Sequence, residues 1–247
     1  MTTTTSIDFP HSAYAVRAEF AETHSLYWER LARPGSWWTG AERVAIATET
    51  RTAWDCPLCA AREESLPPAA VSGSHATAGH LLPEPAIEAV HRLVTDASRI
   101  SKPWLEGLYE QGLSDGQYVE LVGTVVAVVS LDSFCLALDV TPHALPESVA
   151  GEISQYRPAN LDGDTAFMPM LGRDLAGTPE EDLFPGGRAP NVYRAMSLVP
   201  DEVRSMLSLS SAHYPGGPGV EESDSVLTRP QMELVAARVS ALNECFY

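Results

Sequence analysis

The chain has 247 residues, 45% of them hydrophobic, and a formal net charge of −17 from 33 acidic and 16 basic side chains. That balance argues against a nucleic-acid partner, because phosphate binding needs a clustered basic surface, and it equally disfavours an anionic membrane surface. The length suffices for one large domain or two smaller ones, each with ample core.

The amino terminus, MTTTTSIDF, has neither the basic start nor the apolar run of a signal peptide. The longest apolar stretch, Leu121 to Leu131, is too short to span a bilayer. Four cysteines, two of them in a Cys-x-x-Cys, suit a cytoplasmic redox or metal protein better than a secreted disulfide scaffold.

After a Thr-rich tail, Ala13 to Leu31 carries helical periodicity through Ala15, Ala18, Phe20, His24, Tyr27 and Leu31, and Arg33-Pro34-Gly35 ends it. Thr39 caps a second helix, with Glu42 placed for a capping box and Val44, Ala45, Ala47, Ala53 and Trp54 on its apolar face. That helix delivers the chain to Cys56-Pro57-Leu58-Cys59, where a short helix from Leu58 to Glu64 begins. Residues 66–83 are a Pro/Gly/Ser/Ala-rich loop.

Pro85 to Ala97 and Pro103 to Gln111 are helices with proline in the first turn. Ser114 to Asp139 is the longest helix, apolar nearly all round and so expected to be buried. Thr141 to Asp182 is irregular, with prolines at 142, 146, 158, 169 and 179, and reads as a linker. Asn191 to Leu209 is helical with a break near Pro200.

A Gly/Pro/acidic loop, Tyr214 to Ser225, leads to the closing helix from Leu227 to Tyr247. Thr228 caps it, Pro230 sits in its first turn, and Val235, Val239, Leu242 and Phe246 form a face of the buried kind, expected to stand under-covered as an apolar patch beside Cys245 if a premature stop ends the helix. No segment reads as a strand, so the class is all-α. The organisation is two helical lobes, 1–140 and 183–247, joined by 141–182.

Three helices share a layout. Glu42-Arg-Val precedes Cys56 by fourteen residues, Glu120-Leu-Val precedes Cys135 by fifteen, and Glu233-Leu-Val precedes Cys245 by twelve. A degenerate repeat accounts for this, and so does the frequency of such tripeptides in helices. Cys135, inside an apolar helix, reads as a small core residue, and His24 and His91 as core or boundary residues.

The string Glu233-Leu-x-x-x-x-Val-Ser-Ala-Leu-Asn-x-Cys245 resembles the active-site helix of the AhpD-like alkylhydroperoxidases of the carboxymuconolactone decarboxylase superfamily. The resemblance is strongest from Ala189 to Tyr247. The first 140 residues resemble, more weakly, alkylhydroperoxidase-related proteins, some of them selenoproteins. It implies a helical fold of two related lobes and reduction of hydroperoxides by a thiol or selenol, reset by a thiol electron donor. It also implies self-association into a homo-oligomer.

Glu233 matches the family's proton-relay carboxylate and Cys245 its first cysteine, while the second cysteine and the following histidine would fall after Tyr247. A selenocysteine codon read as a stop is the expectation for that end, with truncation unrelated to selenium as the alternative. Along one straight helix, however, twelve residues span about 18 Å and leave the two side chains about 120° apart, so Glu233 cannot reach Cys245 directly.

Cys56 and Cys59 form the complete Cys-x-x-Cys, at a helix start where a thiolate is stabilised. Redox use places the pair within disulfide reach and calls for no metal or cofactor. No histidine stands four residues after Cys59, where Glu63 is found, so this window departs from the family motif. The rival class is a non-catalytic helical binding protein with zinc at Cys56, Cys59, His75 and His80.

Overall fold

The computed structural model describes residues 6–163, 166–184, 189–214, 226–243 and 245. Helix starts follow the chemistry of the first turn. Thr39 accepts from the Glu42 backbone N–H while Glu42 accepts from the Thr39 N–H at 2.8 Å, opening α2 (Gly40–Ala53). Ser114 and Gln117 form the same box ahead of α6 (Asp115–Ala137). Proline lies in the first turn of α3 (Pro57–Glu63), α4 (Glu84–Thr95) and α5 (Lys102–Glu110), where its missing N–H leaves no bond unmade.

The remaining helices are α1 (Ala18–Ala32), α7 (Asn191–Arg194), α8 (Pro200–His213) and α9 (Arg229–Leu242). The break near Pro200 is present: Pro200 begins α8 instead of interrupting a longer helix. The only strands among the described residues are two of two residues each, β1 (Leu161–Asp162) and β2 (Met170–Leu171), paired antiparallel. The protein is all-α, as its periodicity predicts.

α6 is the centre, packed by α2, α4 and α8, with α1 lying against α2 and α8. One apolar cluster joins Trp38, Ile46, Ala86, Val90, Leu105, Leu108, Leu121 and Val125. Another joins Tyr27, Trp28, Leu31, Ala47, Val128, Leu131 and Leu209. The apolar run 121–131 extends into a helix of 23 residues, long and apolar enough to cross a membrane, with mean hydropathy 1.9. Twelve of those residues are buried against neighbouring helices, Glu120 among them, which is the setting of a core helix.

A buried charge network ties the same elements together. Arg43 donates to Glu120 at 2.5 Å and to Glu202 at 3.2 Å, and Arg30 donates to Glu202 at 2.6 Å. The Trp37 backbone N–H donates to the other Glu120 oxygen at 2.7 Å. α1, α2, α6 and α8 therefore each contribute one charge.

The irregular segment after α6 is packed. Its backbone N–H groups at Val149, Ser154 and Gln155 donate to the carbonyls of Ala32, Gly35 and Ser36 at 2.7, 3.2 and 2.9 Å. Further along, Leu171, Leu175, Leu183 and Phe184 bury themselves with Met196 and Val203.

The closing helix leaves its apolar face uncovered by the described residues. None of α9 is buried, and Leu234, Val235, Val239 and Leu242 are more than half exposed. Periodicity had marked an apolar face correctly, but no described element lies over it. Phe246 falls outside the described residues.

Candidate functional site

α2 ends at Ala53, and two turn residues later Cys56 stands as the N-cap of α3, with Cys59 inside its first turn. Burial opposes a Cys56 thiolate, but the backbone N–H groups of Cys59 and Ala76, together with His75, hold the thiol below its usual pKa. The amphipathic helix α4 buries Ala86, Ala89 and Val90 in the core on one side, while Glu88 and His91, three residues apart and so neighbours on the other side, face the start of α3 and the loop after it. The loop between α3 and α4 folds back and inserts His75.

The four side chains meet. His75 Nδ1 lies 3.6 Å from both Cys56 Sγ and Cys59 Sγ, and His91 Nδ1 lies 3.3 Å from Cys59 Sγ. The two imidazole rings are 4.1 Å apart between centroids. Each ring is held from behind: His75 Nε2 donates to Glu88 at 2.8 Å and His91 Nε2 to Glu49 at 2.8 Å.

The carboxylates are themselves fixed. Arg62 donates to Glu88 at 2.7 Å and Trp104 Nε1 at 3.1 Å. Thr77 Oγ1 and the Ala78 N–H both donate to Glu49 at 3.0 Å.

Electrostatics follow from this geometry. Burial works against a Cys59 thiolate, yet hydrogen bonds from His75 and His91 hold its pKa down at about 5. Burial likewise opposes a charged His75, but its contacts with Cys59 and Glu88 carry it up to about 10. Glu88 is held down to about 2, burial being outweighed by His75 and Arg62. The centre is therefore a thiolate–imidazolium pair at neutral pH. A slot of about 10 Å³, bounded by Cys59, Arg62, His75, Arg92, Thr95 and Asp96, leads to it.

The residues singled out by sequence are divided by the structure. Cys56, Cys59 and His75 come together. His80, named with them in the zinc alternative, is exposed on the loop and stands outside this group, whose fourth member is His91.

Cys245 is exposed and free, and Glu233 is exposed and paired with Arg229 at 2.6 Å. No described hydrogen bond joins Glu233 to Cys245. Glu120 and Glu233, matched in the shared layout, have unlike surroundings, one buried in the charge network and the other in solvent. Cys135 is a buried core residue whose thiol is pushed up by burial.

His91, Glu49 and Glu88 were not singled out as functional from sequence. The available signal was Glu88-x-x-His91 on a strongly amphipathic helix, which places an acid and a histidine on one face. Fold and site together define a class: an all-α protein with a buried dithiol flanked by two carboxylate-held imidazoles. No family model, no curated protein and no solved structure matches this chain.

Proposed function

We propose that the chain is a thiol-dependent hydroperoxide reductase whose reacting pair is Cys59 and Cys56. The observation that carries this reading is the hydrogen-bonded chain Cys59–His91–Glu49, a nucleophile, a base and an orienting carboxylate in series. The resemblance to the alkylhydroperoxidases supports the same chemistry but had centred it on Cys245 and Glu233. Those two residues lack a partner arrangement of this kind among the described residues.

In the reaction the Cys59 thiolate attacks the terminal peroxide oxygen, forming S–O as O–O breaks. The departing alkoxide or hydroxide takes a proton from an imidazolium, leaving Cys59 as a sulfenic acid. Cys56 then attacks the Cys59 sulfur, S–S forms, and the sulfenic oxygen leaves as water with a proton from His75. A dithiol donor reduces the disulfide and completes the cycle.

The slot at Cys59 has room for about one water, so hydrogen peroxide, the smallest hydroperoxide, is the substrate that requires the least opening of the loop. A cytoplasmic setting, a thiol donor and self-association belong to the same reading.

Peroxide consumption by the full chain with a dithiol reductant tests the reading. Cys59→Ser and Cys56→Ser are expected to abolish turnover, and Cys245→Ser to leave it intact. His91→Ala should slow it roughly 10²-fold or more, the usual range for a proton-transfer residue. Turnover that survives Cys59→Ser contradicts the proposal.

A further inference from the structure

We propose that Cys56, Cys59, His75 and His91 also constitute a four-coordinate zinc site. One ligand atom from each side chain lies within 4.8 Å of all the others. The ligands come from three elements, the start of α3, the following loop and α4, so the convergence is a tertiary feature and not a helical repeat.

Zn–S near 2.3 Å and Zn–N near 2.0–2.1 Å at a tetrahedral angle place sulfur and nitrogen about 3.6 Å apart. Three of the four sulfur–nitrogen separations here are 3.6, 3.6 and 3.3 Å, and the fourth, Cys56 to His91, falls within the 4.8 Å that encloses the set. Distances of this size also suit hydrogen bonds to sulfur, so orientation has to decide.

Both imidazoles turn Nδ1 inward and commit Nε2 to a carboxylate. With its Nε2 proton held by Glu49 or Glu88, each histidine offers its Nδ1 lone pair to the centre once a metal displaces the proton it shares with sulfur. Two such lone pairs and two sulfurs then face one another with Cys56 and Cys59 at 2% and 5% exposure. A divalent cation satisfies all four at once and neutralises two thiolates, whereas protons satisfy them one contact at a time.

The donor set, two sulfurs and two nitrogens without an open position, selects zinc among common divalent ions. Such a closed site is structural. It fixes the loop 66–83, whose one apolar anchor in this cluster is the partly buried Val71. It also engages the sulfur lone pairs that a hydroperoxide needs, so zinc and peroxide compete for Cys56 and Cys59. That last consequence rests on the reductase reading; the zinc site itself does not.

Zinc titration of the reduced, metal-free full chain, followed by metal analysis after desalting, tests the site. One zinc per chain is expected. Cobalt substitution of the wild type should give tetrahedral ligand-field bands with thiolate charge transfer, a readout that needs no variant. His91→Ala and Cys59→Ser should lose the metal while His80→Ala and Cys245→Ser keep it.

Glu49→Gln and Glu88→Gln should weaken binding about 10- to 100-fold, the size of effect known for residues orienting a ligand. Absence of stoichiometric zinc, a cobalt spectrum without thiolate charge transfer, or retention by His91→Ala with loss by His80→Ala overturns the proposal. Peroxide turnover by a chain that binds no zinc leaves the reductase reading standing alone. Zinc binding without turnover by the metal-free chain removes that reading and keeps the site.

Discussion

Two glycines are as much a part of the buried charge network as its charged members. A Cβ on Gly35 would sit 1.8 Å from a Glu120 oxygen, and one on Gly123 would sit 2.2 Å from Glu202 Oε2. Glu120 Oε1 is the atom that accepts from Arg43, and a Cβ on Gly123 would also meet Glu202 Cδ and Cγ at 2.7 Å, so either change displaces a carboxylate that binds buried arginine. Gly35→Ala and Gly123→Ala are therefore expected to cost about 3–5 kcal/mol in chemical unfolding, the range for breaking a buried ion pair. Gly79→Ala, with nothing within 4 Å of the added carbon, is the control and should lie within about 0.5 kcal/mol of wild type.

Also at this scale, His24 and His213 share one proton position, their Nε2 atoms 2.7 Å apart. Phe9, Phe20 and Phe134 surround them, and His143 stands near. Burial, then the charges of His213 and His143, push His24 down to about 3. Because the folded value lies below the unfolded one, near 6.5, neutral His24 contributes fully above that pH. The contribution is lost as pH falls from about 6.5 toward 3. Unfolding midpoints measured from pH 7 to pH 4 should fall more steeply for wild type than for His24→Phe; equal slopes would sink this account.

Among the elements, what local chemistry controls was legible in sequence and what neighbours control was not. The Thr39–Glu42 box, the proline starts and the break at Pro200 depend on residues within one turn, and each appears as expected. α9 shows the other side. Its 3.6 period identifies an apolar stripe, but period carries no information about what covers the stripe, and Val235, Val239 and Leu242 face solvent.

Leu234→Ser and Val239→Ser are accordingly expected to shift unfolding by less than about 0.5 kcal/mol. Leu121→Ala, at 0% exposure on α6, should cost about 2–5 kcal/mol by leaving a cavity. A large loss from the α9 variants would show that the helix is covered in solution. The segment after α6 makes the same point in reverse. Its prolines announce irregular backbone, yet they say nothing of the hydrogen bonds that bind it to the turn between α1 and α2.

For the whole molecule, the site divides by sequence distance. Cys56 and Cys59 declare themselves within four residues, and His75 follows on the next loop. His91 and Glu49 lie on separate helices, 42 residues apart, and only the packing of α4 against α2 and α3 joins them. Sequence spacing therefore favoured His80 as the nearer ligand, and the family resemblance favoured Cys245 as the nucleophile.

The central claim is that the oxidisable pair of this protein is Cys56 and Cys59. Mass spectrometry of proteolytic peptides tests it most directly, after the reduced, metal-free chain meets one equivalent of hydrogen peroxide. The account predicts a Cys56–Cys59 disulfide, with Cys135 and Cys245 still thiols. Oxidation confined to Cys245, with Cys56 and Cys59 unchanged, would contradict it.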